Sequence, residues 1–134
     1  MIWVGLAMLV MLASGDGNDV RAFMAWQEKL VGHVAEVVED PSRREAAAAV
    51  LDDALEELLR MRRIQSEFGD CVETLDRTYQ VSAADYEVCF EDRYGYWAFL
   101  IDTHERLKAG FRSHFTDPEW AELERRVGRD TRFR

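Results

Sequence analysis

The chain has 134 residues, of which 48% are hydrophobic, and its formal net charge is −9. A chain of this length forms one domain, and the scarcity of Pro and Gly with the lack of any long alternating apolar pattern predicts an all-α fold. The negative charge disfavours nucleic acid as a partner, because phosphates require Lys and Arg, and it equally disfavours strong binding to an anionic membrane.

The first fifteen residues, MIWVGLAMLVMLASG, are apolar and uncharged. A membrane-spanning helix needs about 20 residues, whereas the apolar part of a secretory signal is shorter. Ala13 and Gly15 have the spacing of small residues at a cleavage site. We therefore predict that residues 1–15 are a signal peptide or a hydrophobic N-terminal segment, with an uncleaved anchor or a buried core helix as alternatives. Residues 16–134 are predicted to form a single helical domain.

Two amphipathic helices are predicted next. The first covers residues 20–39, and the Pro41 that follows ends it because the residue before Pro disfavours the helical conformation. Ser42 with Glu45 has the pattern of a capping box, so the second helix is expected to start there and to run to about Gln80. The one weak point is Gly69, where a small residue would let facing aromatic rings approach. Apolar residues at spacings of three and four give the second helix one face: Ala47, Leu51, Ala54, Leu58, Met61, Ile64, Phe68, Val72, Leu75 and Tyr79.

A short link then reverses the chain near Val81. Ser82 followed three residues later by Asp85 predicts the start of a third helix, which is expected to run to about Phe115, with Gly95 and Gly110 as the points inside it that would loosen it. A link this short makes the second and third helices antiparallel neighbours. A last short helix is predicted over residues 119–127, because Thr116-Asp117-Pro118-Glu119 is typical of a helix start. The predicted inward face of the third helix comprises Tyr86, Phe90, Tyr94, Trp97, Ile101, His104, Leu107 and Phe111.

The two cysteines lie on either side of the predicted turn. Cys71 comes ten residues before Val81 and Cys89 eight residues after it. The difference of two residues corresponds to about 3 Å of helix rise. Both cysteines adjoin the apolar faces that meet, so we predict a Cys71–Cys89 disulfide, for which the Cα atoms must lie about 4.4–6.8 Å apart. The alternative is a pair of buried reduced thiols that behave as small apolar residues.

The predicted helix lengths define an architecture. The second helix, at about 39 residues, would be roughly 58 Å long, whereas the first helix would cover only its lower half. We therefore predict a small bundle of three to four helices as a base, with a long antiparallel helical hairpin projecting from it. We call residues 65–99, the part of the hairpin nearest the turn, the tip.

The tip is acidic and rich in aromatic residues. Residues 65–95 contain eight acids and two arginines, a net charge of −6, whereas residues 106–134 have a net charge of +3. Solvated helix faces would account for such charge runs, but a two-helix tip cannot bury every ring, and exposed aromatics among acids are typical of a binding surface. We therefore predict a binding site for a protein partner, with a charge that permits a basic one, formed by Tyr79, Tyr86, Glu87, Glu91, Asp92, Tyr96 and Phe99.

No catalytic or cofactor motif occurs in the sequence, so neither catalytic residues, a cofactor nor a metal site is predicted. The leading hypothesis is a non-enzymatic exported protein, periplasmic or extracellular, that binds another protein through the tip as an inhibitor, an immunity protein or a chaperone or adaptor. One alternative is a metal-binding bundle that uses His33, His104 and nearby carboxylates. Another is a cytosolic helical interaction protein with reduced thiols. The sequence leaves the oligomeric state open.

Overall fold

The structure, a computed structural model, describes residues 18–78, 80–91 and 93–130, and only the backbone of residues 18, 19 and 93–97. These residues form five α-helices: α1 Asn18–Val37, α2 Pro41–Asp76, α3 Ala83–Phe90, α4 Arg93–Arg112 and α5 Asp117–Arg129. No strand occurs within those ranges, and the predicted all-α class is confirmed. The predicted signal peptide, residues 1–15, lies outside the described residues. Among the helices that are described, none is both long enough and apolar enough to cross a membrane.

Side-chain caps fix where three of the helices begin. Thr116 and Glu119 form the capping box of α5, in which Glu119 Oε2 accepts from the Thr116 amide at 2.8 Å. At α3, Asp85 Oδ2 accepts from both the amide and the hydroxyl of Ser82 at 2.8 Å, as the sequence predicts. The capping box predicted at Ser42 is wrong. Asp40 takes that role and accepts from the Ser42 amide at 2.9 Å, because the residue before a proline is held in an extended conformation suited to an N-cap.

One core joins four of the helices. Helices α1, α2, α4 and α5 all contribute buried apolar side chains, and the rings of Phe111, Phe115 and Trp120 pack against one another with centroids 5.0–6.1 Å apart. In α2 the last buried residue is Met61. The core comprises Phe23, Leu30, Val34, Val38, Ala47, Leu51, Ala54, Leu58, Leu107, Phe111, Phe115, Leu123 and Val127.

The single third helix predicted over residues 82–115 is wrong. Helix α3 ends at Phe90 and α4 begins at Arg93, although Glu91 still has helical dihedral angles (φ −52°, ψ −41°). The predicted face also fails at Ile101, which is 61% exposed. Ile101 lies two spacings of three residues before Leu107. At 100° per residue, this separation places Ile101 about 120° around the helix axis from Leu107, which moves it away from the core. Thr103, four residues before Leu107, is buried instead.

Contacts follow the whole length of α2. Near its start, Arg43 Nη1 donates to the carbonyl of His114 at 3.1 Å, and farther along Arg106 Nη2 donates to Glu57 Oε1 at 3.4 Å. Beyond Met61, α2 also contacts α3, where the rings of Phe68 and Phe90 meet edge to face with centroids 5.0 Å apart. Helices α4 and α3 therefore run antiparallel to α2 along this line of contacts.

Gly69 does not have the predicted role. A Cβ atom at this position would meet no atom within 4 Å, so the glycine faces open space rather than an aromatic ring. The same is true of Gly32 in α1. Neither helical glycine is needed for a close approach.

Candidate functional site

The two cysteines lie at the bonding distance that the sequence predicts. Cys71 in α2 and Cys89 in α3 are joined with their Cα atoms 5.9 Å apart, within the range that a disulfide allows. The bond spans 18 residues of sequence and encloses the link between the two helices. Both cysteine side chains are half-buried. The bond therefore holds α3 to the last turns of α2.

Tyr86 is fixed by a residue that the sequence analysis did not single out. Its hydroxyl donates to Asp76 Oδ1 at 2.6 Å, and this hydrogen bond, with burial and the charge of Asp76, raises the pKa of Tyr86. Asp76 and Tyr86 lie five residues before and after Val81, so the counting that paired the cysteines would also have paired them. The hydrogen bond is a second link between α2 and α3.

Apolar side chains of the tip remain partly in contact with solvent. None of the described side chains in the tip is fully buried. Phe90, predicted to face the seam, does contact Phe68 but is still 41% exposed, and Val88 is 65% exposed. Exposed apolar groups on a short helix are a feature of binding surfaces.

The described carboxylates of the tip fall into two groups. In the first, Glu73 pairs with Arg77 one turn later, Asp76 accepts from Tyr86, and the pKa of Asp85 is lowered by the hydrogen bonds it accepts from the backbone and side chain of Ser82. Among the described residues, the second group has neither an ion-pair nor a hydrogen-bond partner. This exposed group comprises Glu67, Asp70, Glu87 and Glu91. The tip therefore presents negative charge that the described part of the chain does not neutralise.

The structure brings together only part of the predicted partner site. Tyr86, Glu87 and Glu91 lie on α3 or at its end, whereas Phe99 lies on α4 beneath the guanidinium of Arg60, 4.8 Å from the ring centroid. Arg60 and Asp76, the α2 contacts of Phe99 and Tyr86, are 16 residues apart, or about 24 Å along the helix. Phe99 is therefore remote from the α3 group. The three remaining predicted residues lie outside the described side chains: Tyr79, Asp92 and Tyr96.

Ion pairs join the ends of helices in the core region, and sequence reasoning missed them. Arg43 of α2 donates to both carboxylate oxygens of Glu119 of α5, at 2.7 and 2.9 Å. This pair, with the bonds from Thr116, lowers the pKa of Glu119 from 4.5 to about 2. Arg126 of α5 pairs with Glu36 of α1. These contacts join residues 76 and 90 positions apart, for which local spacing gives no signal.

The histidines do not assemble a metal-ligand cluster within the described part of the chain. His33 Nε2 lies 2.9 Å from Asp130 Oδ2, and the side chains are 14% and 8% exposed. His104 is on α4 and half-buried. The described residues contain no group of three or more His, Cys, Asp or Glu that could hold a metal ion. The observed role of His33 is to connect α1 to the end of α5.

Comparison of the chain with protein-family models, with curated proteins and with solved structures found no match. The candidate site is therefore the surface of α3 and the facing part of α2, argued from the chemistry of this chain alone.

Proposed function

We propose that this chain is a non-enzymatic, exported helical protein that binds another protein through its tip, with the helices around the core acting as the base from which the hairpin projects. An inhibitor, an immunity protein and a chaperone or adaptor would all use such a surface. The observation that carries the proposal is the combination, on α3, of the exposed Val88 and Phe90 with the exposed Glu87 and Glu91. Apolar and aromatic groups supply interface energy, and the charges around them select the partner.

The division of burial along α2 supports a projecting tip. Five α2 side chains are buried, the last of them Met61, whereas the apolar residues beyond it are only half-buried. A pair of helices without further cover buries too little apolar surface to be stable alone. A covalent bond between Cys71 and Cys89 compensates where the burial is least. We expect the bond to hold α3 against α2 before a partner binds.

The disulfide also supports the proposed compartment. Disulfides persist in oxidising compartments such as the periplasm or the extracellular space and are rare in the cytosol. The apolar run of residues 1–15 fits the same interpretation, since a signal peptide would deliver the chain there. Intact-mass measurement of the natively expressed protein tests both: we expect loss of residues 1–15 and no free thiol. A cytosolic species with Met1 or Ile2 at its N-terminus and two free thiols would contradict export.

Capture from the native extract tests the binding proposal. The natively purified protein is immobilised beside two double variants that remove the same charge from different places. The tip variant is Glu87→Gln/Glu91→Gln, and the control is Glu45→Gln/Asp53→Asn, which changes exposed acids of α2 near the core. We expect mass spectrometry to identify a protein retained by the wild type and the control but lost from the tip variant. Equal retention by all three would contradict a tip-borne site.

A further inference from the structure

We infer that the partner presents a basic amphipathic helix, which lies along the tip beyond Met61, the last fully buried residue of α2. This inference rests on the proposed function and specifies the partner of the same site. It follows from where full burial along α2 ends and from the charges found beyond that point.

Full burial of α2 side chains ends at a definite level. Helix α1 packs along α2, with Gln27 Nε2 donating to Asp52 Oδ1 at 2.6 Å. Buried α2 residues end at Met61, and the helix continues for 15 residues to Asp76. That length is about 22 Å, or four turns. A partner helix of about the same length fits beside this part of α2.

The described side chains over those four turns and on α3 form an apolar seam and carry more acids than bases. The seam consists of half-buried side chains of α2 and α3, with Phe90 more exposed. These are Ile64, Phe68, Val72, Leu75 and Tyr86. Arg62 and Arg63 are the bases at the start of the four turns. Beyond them, on α2, on α3 and at the end of α3, are the four exposed carboxylates that have neither an ion pair nor a hydrogen bond among the described residues. A helix that buries apolar residues in the seam and carries Lys or Arg at its flanks satisfies both features.

Two other occupants of this surface are conceivable, namely the chain's own residues 1–17 and a second copy of the chain. The charge of the tip favours a basic helix over both. The chain's own residues 1–17 are apolar enough, but their only charged residue is Asp16, so they offer no base to the four carboxylates. A second copy packed tip to tip would bring an equally acidic surface against the first, and like charges across an interface are unfavourable. A basic helix from another protein is the occupant that matches the seam and its edges together.

Synthetic peptides of about 15 residues test the inference with the natively purified protein. The first has Leu at spacings of three and four with Lys between, the second has the same composition in scrambled order, and the third keeps the amphipathic order with Glu in place of Lys. We expect fluorescence anisotropy to show the first binding about tenfold more tightly than either other peptide. Because exposed ion pairs are individually weak, Glu87→Gln/Glu91→Gln should reduce that affinity about five- to tenfold, and the Glu45→Gln/Asp53→Asn control should leave it unchanged.

Several results would overturn the inference. Equal binding of the ordered and scrambled Lys peptides would mean attraction by charge without a helix site, and an equal loss in the control variant would place the contact elsewhere. Sedimentation showing a dimer that the tip variant abolishes would make a second copy the occupant. Peptide binding that appears only after removal of retained residues 1–15 would make that segment the occupant. If capture of a protein still depends on the tip while the peptides fail, this inference alone falls; if capture is independent of the tip, the proposed function falls.

Discussion

Removal of the Cys71–Cys89 bond is expected to loosen the tip while the core keeps its stability. The variant is Cys71→Ser/Cys89→Ser, which retains side chains of similar size. The bond closes a loop of 18 residues, and the lost constraint on the unfolded segment corresponds to about 3 kcal/mol. That free energy corresponds to a change of about 100-fold in the local opening equilibrium. The Tyr86–Asp76 hydrogen bond remains, but it contributes only about 1 kcal/mol.

Hydrogen exchange followed by mass spectrometry measures this effect region by region. Amides of residues 64–91 should lose about 100-fold protection in the variant, or in the wild type under reductant. Amides of residues 43–58 should be unchanged, because their helix is held by the buried core and not by the bond. Uniform loss across both regions would refute the reasoning, and so would an unchanged tip.

Three further predictions test individual contacts by urea denaturation. Glu119→Gln should lower the free energy of unfolding at pH 7 by about 1–3 kcal/mol, because Arg43 loses its bidentate partner. The pKa of Glu119 is about 2 in the folded chain against 4.5 ordinarily, so the contribution of the carboxylate to stability is complete above about pH 4.5 and disappears as the pH falls towards 2. Near pH 2 the free energies of unfolding of variant and wild type should therefore converge. Gly69→Ala should raise the free energy of unfolding by about 0.5–1 kcal/mol, because the added Cβ meets no neighbour and the helix gains propensity; a loss would mean that this part of α2 is not helical. Leu51→Ala should cost about 2–5 kcal/mol and Ile101→Ala less than about 0.5 kcal/mol, and the reverse order would contradict the assigned core.

Local patterns predicted the helices well because most apolar residues repeat at the helical period. The core positions of α2 follow directly from that period, whereas the start of α5 at Thr116 follows from its capping residues and Pro118. Two errors arose where two local signals compete. At Asp40 and Ser42 both residues are good caps, and Pro41 decides between them by fixing the backbone before it. At Ile101, spacings of three and of four residues were treated as equivalent. Three residues fall short of a full helical turn and four exceed it, so repeated spacings of one kind move the side chain steadily away from the original face.

The candidate site could be predicted near the short link, because the link fixes how α2 and α3 lie side by side. It could not be predicted farther from the link. Counting from Val81 placed Cys71 near Cys89, since a tight turn leaves little freedom of register. The interruption between α3 and α4 falls before Gly95, the nearby residue expected to loosen the helix, and nothing in the described residues explains its position. The interruption matters because the apolar face of α3 cannot be extrapolated along the sequence into α4. Phe99 was accordingly assigned to the α3 group, although it contacts Arg60 far along α2.

The most direct test of the account is hydrogen exchange of the protein with and without its captured partner. We predict that binding increases protection over residues 64–91, most strongly in α3 around Val88 and Phe90, and leaves residues 43–58 of α2 unchanged. Protection confined to α1, α5 or the core-facing part of α2, with the tip unaltered, would contradict the claim that the tip is the binding surface.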